Sequence, residues 1–193
     1  MFSFKKPARV LMMTMAMSAM ALVTPTGTPE AVESNVSPLQ SLYMVKQLVP
    51  QTQTVGLMWN QTKVNVSDIM PKIDRAAATI GVKVVVEDIE ELKDVSQRFR
   101  DLTDKYHVQA LWVFQDDNIV GSALGKDFLI KNCTVSGIAL FAPNTDWVST
   151  GACATLMNEG GAVKLYVNKK TITALGINVP EKLVPDTQFI DTN

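Results

Sequence analysis

From residue 54 onward the chain alternates between short apolar runs and longer stretches in which apolar residues recur every three or four positions. Thr54–Trp59 is a compact apolar run, and Val66–Ile80 carries Ile69, Met70, Ile73, Ala76, Ala77 and Ile80 at helical spacing before Gly81 closes it. Residues 82–86 form a continuous β-branched run, the pattern of a strand buried on both faces. The stretch 95–106 is charged but keeps Val95, Phe99 and Leu102 on one stripe, which predicts an amphipathic helix. Beyond it, 109–114 predicts a strand, 119–130 a helix and 135–141 another strand. Strands alternating with helices of this length call for a parallel sheet with right-handed crossovers and helices on both faces.

Both flanks of this pattern differ from its middle. Upstream, Ser37-Pro38 offers an N-cap followed by Pro at the first helical position, and Leu39, Leu42, Tyr43, Val45 and Leu48 continue at helical spacing until Pro50. Downstream, 152–157 and 162–167 flank the turn Asn158-Glu159-Gly160-Gly161, which predicts a hairpin and hence an antiparallel edge. A short helix over 169–175 stops at Gly176, and 188–190 is a candidate last strand. The expected class is α/β: a single Rossmann-like lobe over 37–193, its sheet mostly parallel and ending in an antiparallel hairpin at the edge.

The N-terminus sets the compartment. Lys5, Lys6 and Arg9 precede an apolar stretch, and Ala19-Met20-Ala21 is a small-x-small cleavage site, so residues 1–21 read as a signal peptide for the periplasm. Val10 to Val23 gives 14 residues, short of the roughly 20 that cross a hydrocarbon core, so no membrane insertion is expected after cleavage. No Cys directly follows the apolar stretch, which argues against a lipid anchor. Residues 22–36, with Pro25, Gly27 and Pro29 and no apolar period, read as a flexible linker. Cleavage would leave 172 residues with 15 basic against 19 acidic side chains, a net charge of −4 with no bulk attraction for nucleic acid.

Candidate chemistry is sparse. Cys133 and Cys153 would be free to pair in an oxidising compartment, a bridge worth about 3 kcal/mol in the chain-entropy account. Two buried free thiols are the equal alternative. No His or second Cys stands at ligand spacing, so no metal is expected, and the single His107 reads as a surface or capping residue. Catalysis lacks a motif. No nucleophile elbow is present, the glycine pair Gly121 and Gly125 before Lys126 has the wrong spacing for a phosphate loop, and the adjacent Asp116 and Asp117 point in different directions. Neither an enzyme nor a cofactor is expected.

What remains is the carboxyl edge of the predicted sheet, where loops and helix N-termini supply free hydrogen-bonding groups. It gathers Asn60, Gln61 and Thr62 after the first strand, 115–118 with Asp117 and Asn118 after the third, and Asn144 and Asp146 after the fourth. Turn and cap chemistry accounts for any one such loop. Three on one edge favour a ligand site. Trp59 and Trp147 flank these loops and Trp112 lies within a strand, so the rings are candidates either for a ligand wall or for core packing.

Several segments share one order with a known family. Lys46-Gln47-Leu48-Val49-Pro50, the strand Val55-Gly56-Leu57-Met58 with Asn60, the helix ending Ile80-Gly81-Val82, Asp117-Asn118-Ile119-Val120 with Ser122-Ala123-Leu124, and Val167-Asn168 with Thr173-Ala174-Leu175-Gly176-Ile177 carry the resemblance. From about Ser37 to Pro185 the chain resembles the second half of periplasmic type I ABC-transporter substrate-binding proteins, in the subfamily with tryptophan- and tyrosine-type binders. The resemblance implies a non-catalytic small-molecule binder whose cleft is lined by Asn60–Thr62 and Asp117–Asn118. It also implies a half-clamshell, because the family's first lobe has no counterpart here. The open side would then be met by a homodimer mate or an envelope protein partner, or would serve wholly as a protein interface.

Overall fold

The computed structural model describes residues 36–191. The expected signal peptide and all of the expected linker but Val36 lie outside the described residues. Helix α1 (Pro38–Leu48) begins with a capping box in which Ser37 and Gln40 satisfy each other's backbone amides. Strand β1 (Thr54–Trp59) follows, then α2 (Val66–Ile80), β2 (Lys83–Asp88), α3 (Leu92–Arg100), β3 (Ala110–Val113), α4 (Ala123–Val135), β4 (Ala139–Phe141), α5 (Thr145–Thr150), β5 (Ala154–Glu159), β6 (Ala162–Asn168), α6 (Lys169–Ala174) and β7 (Thr187–Ile190).

The strands form one seven-stranded sheet in the order β2-β1-β3-β4-β5-β6-β7. All neighbours are parallel except the β5–β6 hairpin. Successive strand residues point to opposite faces, and both faces are covered. Val55, Leu57, Ala110, Trp112 and Phe141 share one core with Leu42 and Val45 of α1 and Ile73, Ala76 and Ala77 of α2. Met58, Leu111, Val113 and Leu140 share the other with Val95 and Phe99 of α3, Leu129 of α4 and Trp147 of α5. After β2 the chain crosses β1 to form β3 on its far side. The strand order therefore reverses between β1 and β3, and the carboxyl ends of those two strands are where a doubly wound sheet ordinarily takes a ligand.

The α/β class and the mostly parallel sheet agree with the sequence pattern, and several elements shift. The β-branched run expected to be buried on both faces is instead the edge strand β2, with Val84, Val85 and Val86 only half-buried. Helices α2 and α3 cover its faces while its flank stays unpaired. Glu87, with its side chain 11% exposed, pairs with Arg98 at 3.2 Å, an inward charge of the kind that guards a strand edge. The hairpin is not the last of the sheet, because β7 adds outside it, parallel to β6.

Around the rim the boundaries move by a turn. α4 starts at Ala123 rather than 119 because Asp117 and Ser122 take the turn and cap positions before it. It runs through Val135, 79% exposed, so β4 begins at Ala139 and not at Val135. The stretch expected as helix over 95–106 starts earlier, at Leu92, and its last turn widens into a π-helical segment, Asp101–Lys105. Helix α5, only six residues long, has too few positions to show a period.

Candidate functional site: the carboxyl rim of the sheet

Two loops lie at the strand ends that flank the reversal of strand order, after β1 and β3, and a third follows β4, the next strand in the sheet. After β1, Asn60 is buried at 4% exposure and its Oδ1 accepts from Thr62 N at 3.0 Å and Thr62 Oγ1 at 2.6 Å. The exposed Gln61 donates its amide to Asp88 Oδ1 at 2.8 Å, which ties this loop to the end of β2. Asn60 thus serves as the cap of a short 3-10 turn whose Gln61 and Thr62 are exposed, with the Thr62 hydroxyl turned back onto Asn60.

The β3–α4 loop holds the most charged chemistry. Asp117 Oδ1 accepts the amides of Ile119 at 2.8 Å and Val120 at 2.7 Å, fixing the turn that leads into α4. Its other oxygen, Oδ2, is buried and has no hydrogen-bond partner among the described residues. Asn118 beside it is exposed. The β4–α5 corner is built by Asn144, whose Oδ1 accepts the amides of Asp146 at 3.1 Å and Trp147 at 3.3 Å. Asp146 itself faces solvent.

The topology brings Asn60, Asp117 and Asn144 to one rim, each of them spent partly on closing its own loop. The three tryptophans are buried. Trp147 is fully buried and Trp59 is 4% exposed. Trp59 meets the Phe114 ring edge-on at 5.9 Å between centroids, and Trp112 meets Phe114 at 5.4 Å. These rings are core, and Trp147 reaches the rim through its Nε1 alone, which donates to Asp116 Oδ1 at 3.2 Å. Asp116 also accepts from Asn144 Nδ2 at 2.7 Å. Sequence reasoning set Asp116 aside because adjacent carboxylates diverge. They do diverge, and that divergence lets one hold the loop while the other faces inward. No local sequence signal marks a bond that spans 28 residues.

Cys133 on α4 and Cys153 just before β5 are both buried free thiols. Burial pushes the Cys153 thiol up to about 12, and burial together with the neighbouring Cys153 pushes the Cys133 thiol up as well. Protonated thiols of this kind are poor nucleophiles and poor metal ligands at neutral pH. Among the described residues no group of three His, Cys, Asp or Glu side chains is arranged to hold a metal. No described helix is long and apolar enough to cross a membrane.

A doubly wound lobe whose polar loops converge at the switch in strand order defines the class of α/β ligand-binding domains. The family model of ABC transporter substrate binding proteins matches residues 22–162, and the chain belongs to that family. The ABC domain in complex with L-Trp from Streptococcus pneumoniae is similar in fold, with 19% identity and a TM-score of 0.68 over 80% of this chain and 60% of that one. A conserved domain protein from Vibrio cholerae gives 20% identity and a TM-score of 0.66, over 80% of this chain and 60% of that one. The ligand-free, open structure of a substrate binding protein with adhesive properties from Clostridium difficile gives 23% and 0.65, over 82% and 61%. This chain therefore spans about three fifths of the length of those solved relatives. A search of curated proteins finds no match.

Proposed function

We propose that this chain is an exported, non-catalytic binding lobe that takes a small amine-bearing molecule, amino-acid-like or aromatic, at the rim formed by residues 60–62, 117–118 and 144–146. Its role would be that of a sensor or delivery component of an ABC transporter. The observation that carries the reading is the unanswered Oδ2 of Asp117. A buried acceptor left without a donor costs about 1–3 kcal/mol, more when charged. An ammonium group supplied by a ligand would remove that cost through a charge-assisted bond, and Asn118 on the same loop and Asp146 on the β4–α5 corner stand exposed to meet its other polar groups. The L-Trp of the Streptococcus pneumoniae complex supports free amino acids as the first class to try.

Calorimetric and thermal-shift titration with a panel of free L-amino acids, L-tryptophan among them, tests this. A binder raises the melting temperature by mass action, and Asp117→Asn removes both the heat and the shift. Export from the cytoplasm to the periplasm is supported by the basic start, the apolar stretch and the Ala19-Met20-Ala21 site. N-terminal sequencing of the exported protein is expected to begin at Leu22.

A second reading treats the rim as an interface with a homodimer mate or an envelope protein. It is favoured by Leu124, 71% exposed in the first turn of α4. Silence across the amino-acid panel, together with a concentration-dependent dimer that Leu124→Glu dissolves, would decide for it.

A further inference from the structure

Asp116 plays no part in the function proposed above, yet it joins two of the three rim loops. Its Oδ2 accepts from Asn144 Nδ2 at 2.7 Å and its Oδ1 from Trp147 Nε1 at 3.2 Å. Both donors are themselves fixed. The Trp147 ring is fully buried, and Asn144 is held by accepting two amides of its own corner. A steric anchor completes the arrangement. A Cβ on Gly121 would stand 1.8 Å from Asp116 Oδ1 and 2.5 Å from the Asp117 carbonyl oxygen, so only glycine lets the start of α4 close against this pair.

We propose that Asp116 is a positioning residue: by clamping the β3–α4 loop onto the β4–α5 corner it sets where the Asp117 carboxylate and Asn118 stand in the rim. Asp116 is itself exposed, and an exposed polar contact adds little to global stability. Its effect is on placement. The carboxylate has two oxygens and gives one to each donor, so the loop is located in two directions by groups the core has already fixed. Asp117 follows immediately in the chain and cannot swing independently while Asp116 and Gly121 are in contact. The functional meaning of this clamp rests on the ligand reading of the rim, but the clamp can be tested without a ligand.

Amide hydrogen exchange on the full chain, wild type against D116A and separately G121A, supplies that test. The amides of Ile119 and Val120 donate to Asp117 Oδ1, so their exchange is expected to quicken by about tenfold in both variants, while the amides of β1 stay within about twofold. The two variants reach one phenotype by different routes, one removing the carboxylate and the other wedging the loop open. D116N keeps one acceptor and is expected to fall between wild type and D116A. Unchanged exchange at Ile119 and Val120 in D116A would overturn the proposal. Equal acceleration in β1 would overturn it as well, by making Asp116 a general stabiliser. Calorimetric titration with L-tryptophan is expected to show affinity about tenfold weaker in D116A, and unchanged affinity alongside faster exchange would remove the positioning role. If wild type binds no amino acid, the ligand reading falls while the exchange data still decide whether Asp116 places Asp117.

Discussion

The two ends of the parallel strands use similar residues to different effect. At the amino ends lies a concavity of about 250 Å³, lined by Val49, Gln51, Gln109, Gly137, Leu175 and Ile177 among others. Polar groups beside it are answered from within. Gln109 Oε1 accepts the amides of Gln53 at 2.9 Å and Thr54 at 2.8 Å, and Lys46 Nζ donates to the Thr52 carbonyl at 2.7 Å. The group left over near this end is Thr52 Oγ1, a neutral hydroxyl on a residue with no exposure at all. At the carboxyl ends the group left over is Asp117 Oδ2, an equally buried atom but an acidic one, on a residue that is itself half-buried. An unpaired neutral hydroxyl is a modest fixed cost of the fold, whereas an unpaired acidic oxygen in a rim loop has a charge-assisted bond to gain from a cationic donor. Among the described residues a hollow thus lies at the amino ends and an unpaired acidic oxygen at the carboxyl ends, and under the proposed ligand reading the second marks the site.

The comparison breaks first if the carboxyl rim is not anchored in the core. Trp147→Ala removes a fully buried ring from beneath the β4–α5 corner and is expected to cost about 3–5 kcal/mol in urea unfolding. A loss of about 1 kcal/mol or less would mean that the corner stands without its ring. Next in size is the pair of changes at Asp117. Asp117→Ala strips the acceptor from two amides and should cost about 1–2 kcal/mol, as caps do. Asp117→Asn keeps the acceptor for the two amides but leaves an unpartnered NH2 where the unpartnered oxygen stood, so stability should stay within about 1 kcal/mol of wild type, while amino-acid binding is lost. A variant of near wild-type stability that no longer binds separates the ligand contact from the support of the fold.

How much of this was legible along the chain follows from which signals are local. β1 and α2 were readable to the residue, because the apolar run, the helical period and the closing Gly81 are all contiguous. That Asn60, Asp117 and Asn144 share one edge also followed from the alternation of strands and helices. Edge position did not, since Val84–Val86 look the same from the chain whether their flank is paired or free. Val135 read as strand by its branching, yet it lies in the last turn of α4, where Gly137 at φ 70° and Ser136 set the stop. The role of the tryptophans turned on burial, which depends on what packs above them, and the role of Asp116 on partners 28 and 31 residues away.

The amino end offers the smaller and sharper tests. Gln109→Ala frees the amides of Gln53 and Thr54 and should cost about 1 kcal/mol with ligand affinity unchanged, because its contacts lie at the far end of β1 from the rim. Thr52→Val replaces the orphan hydroxyl by a methyl group of nearly the same shape. Burying a hydroxyl without a partner is unfavourable by about 1 kcal/mol or more, so the variant is expected to gain about that much and to melt roughly 2–4 °C higher. A loss of stability instead would mean that a water answers Thr52 in solution, and the contrast between the two leftover groups would weaken. The decisive version sets Thr52→Val beside Asp117→Asn in one binding and melting experiment. Thr52→Val removes an unanswered hydroxyl and Asp117→Asn exchanges an unanswered acidic oxygen for an amide group, but only the change at the rim is expected to abolish binding, since only there does the substitution take away the carboxylate proposed to meet a ligand's ammonium group.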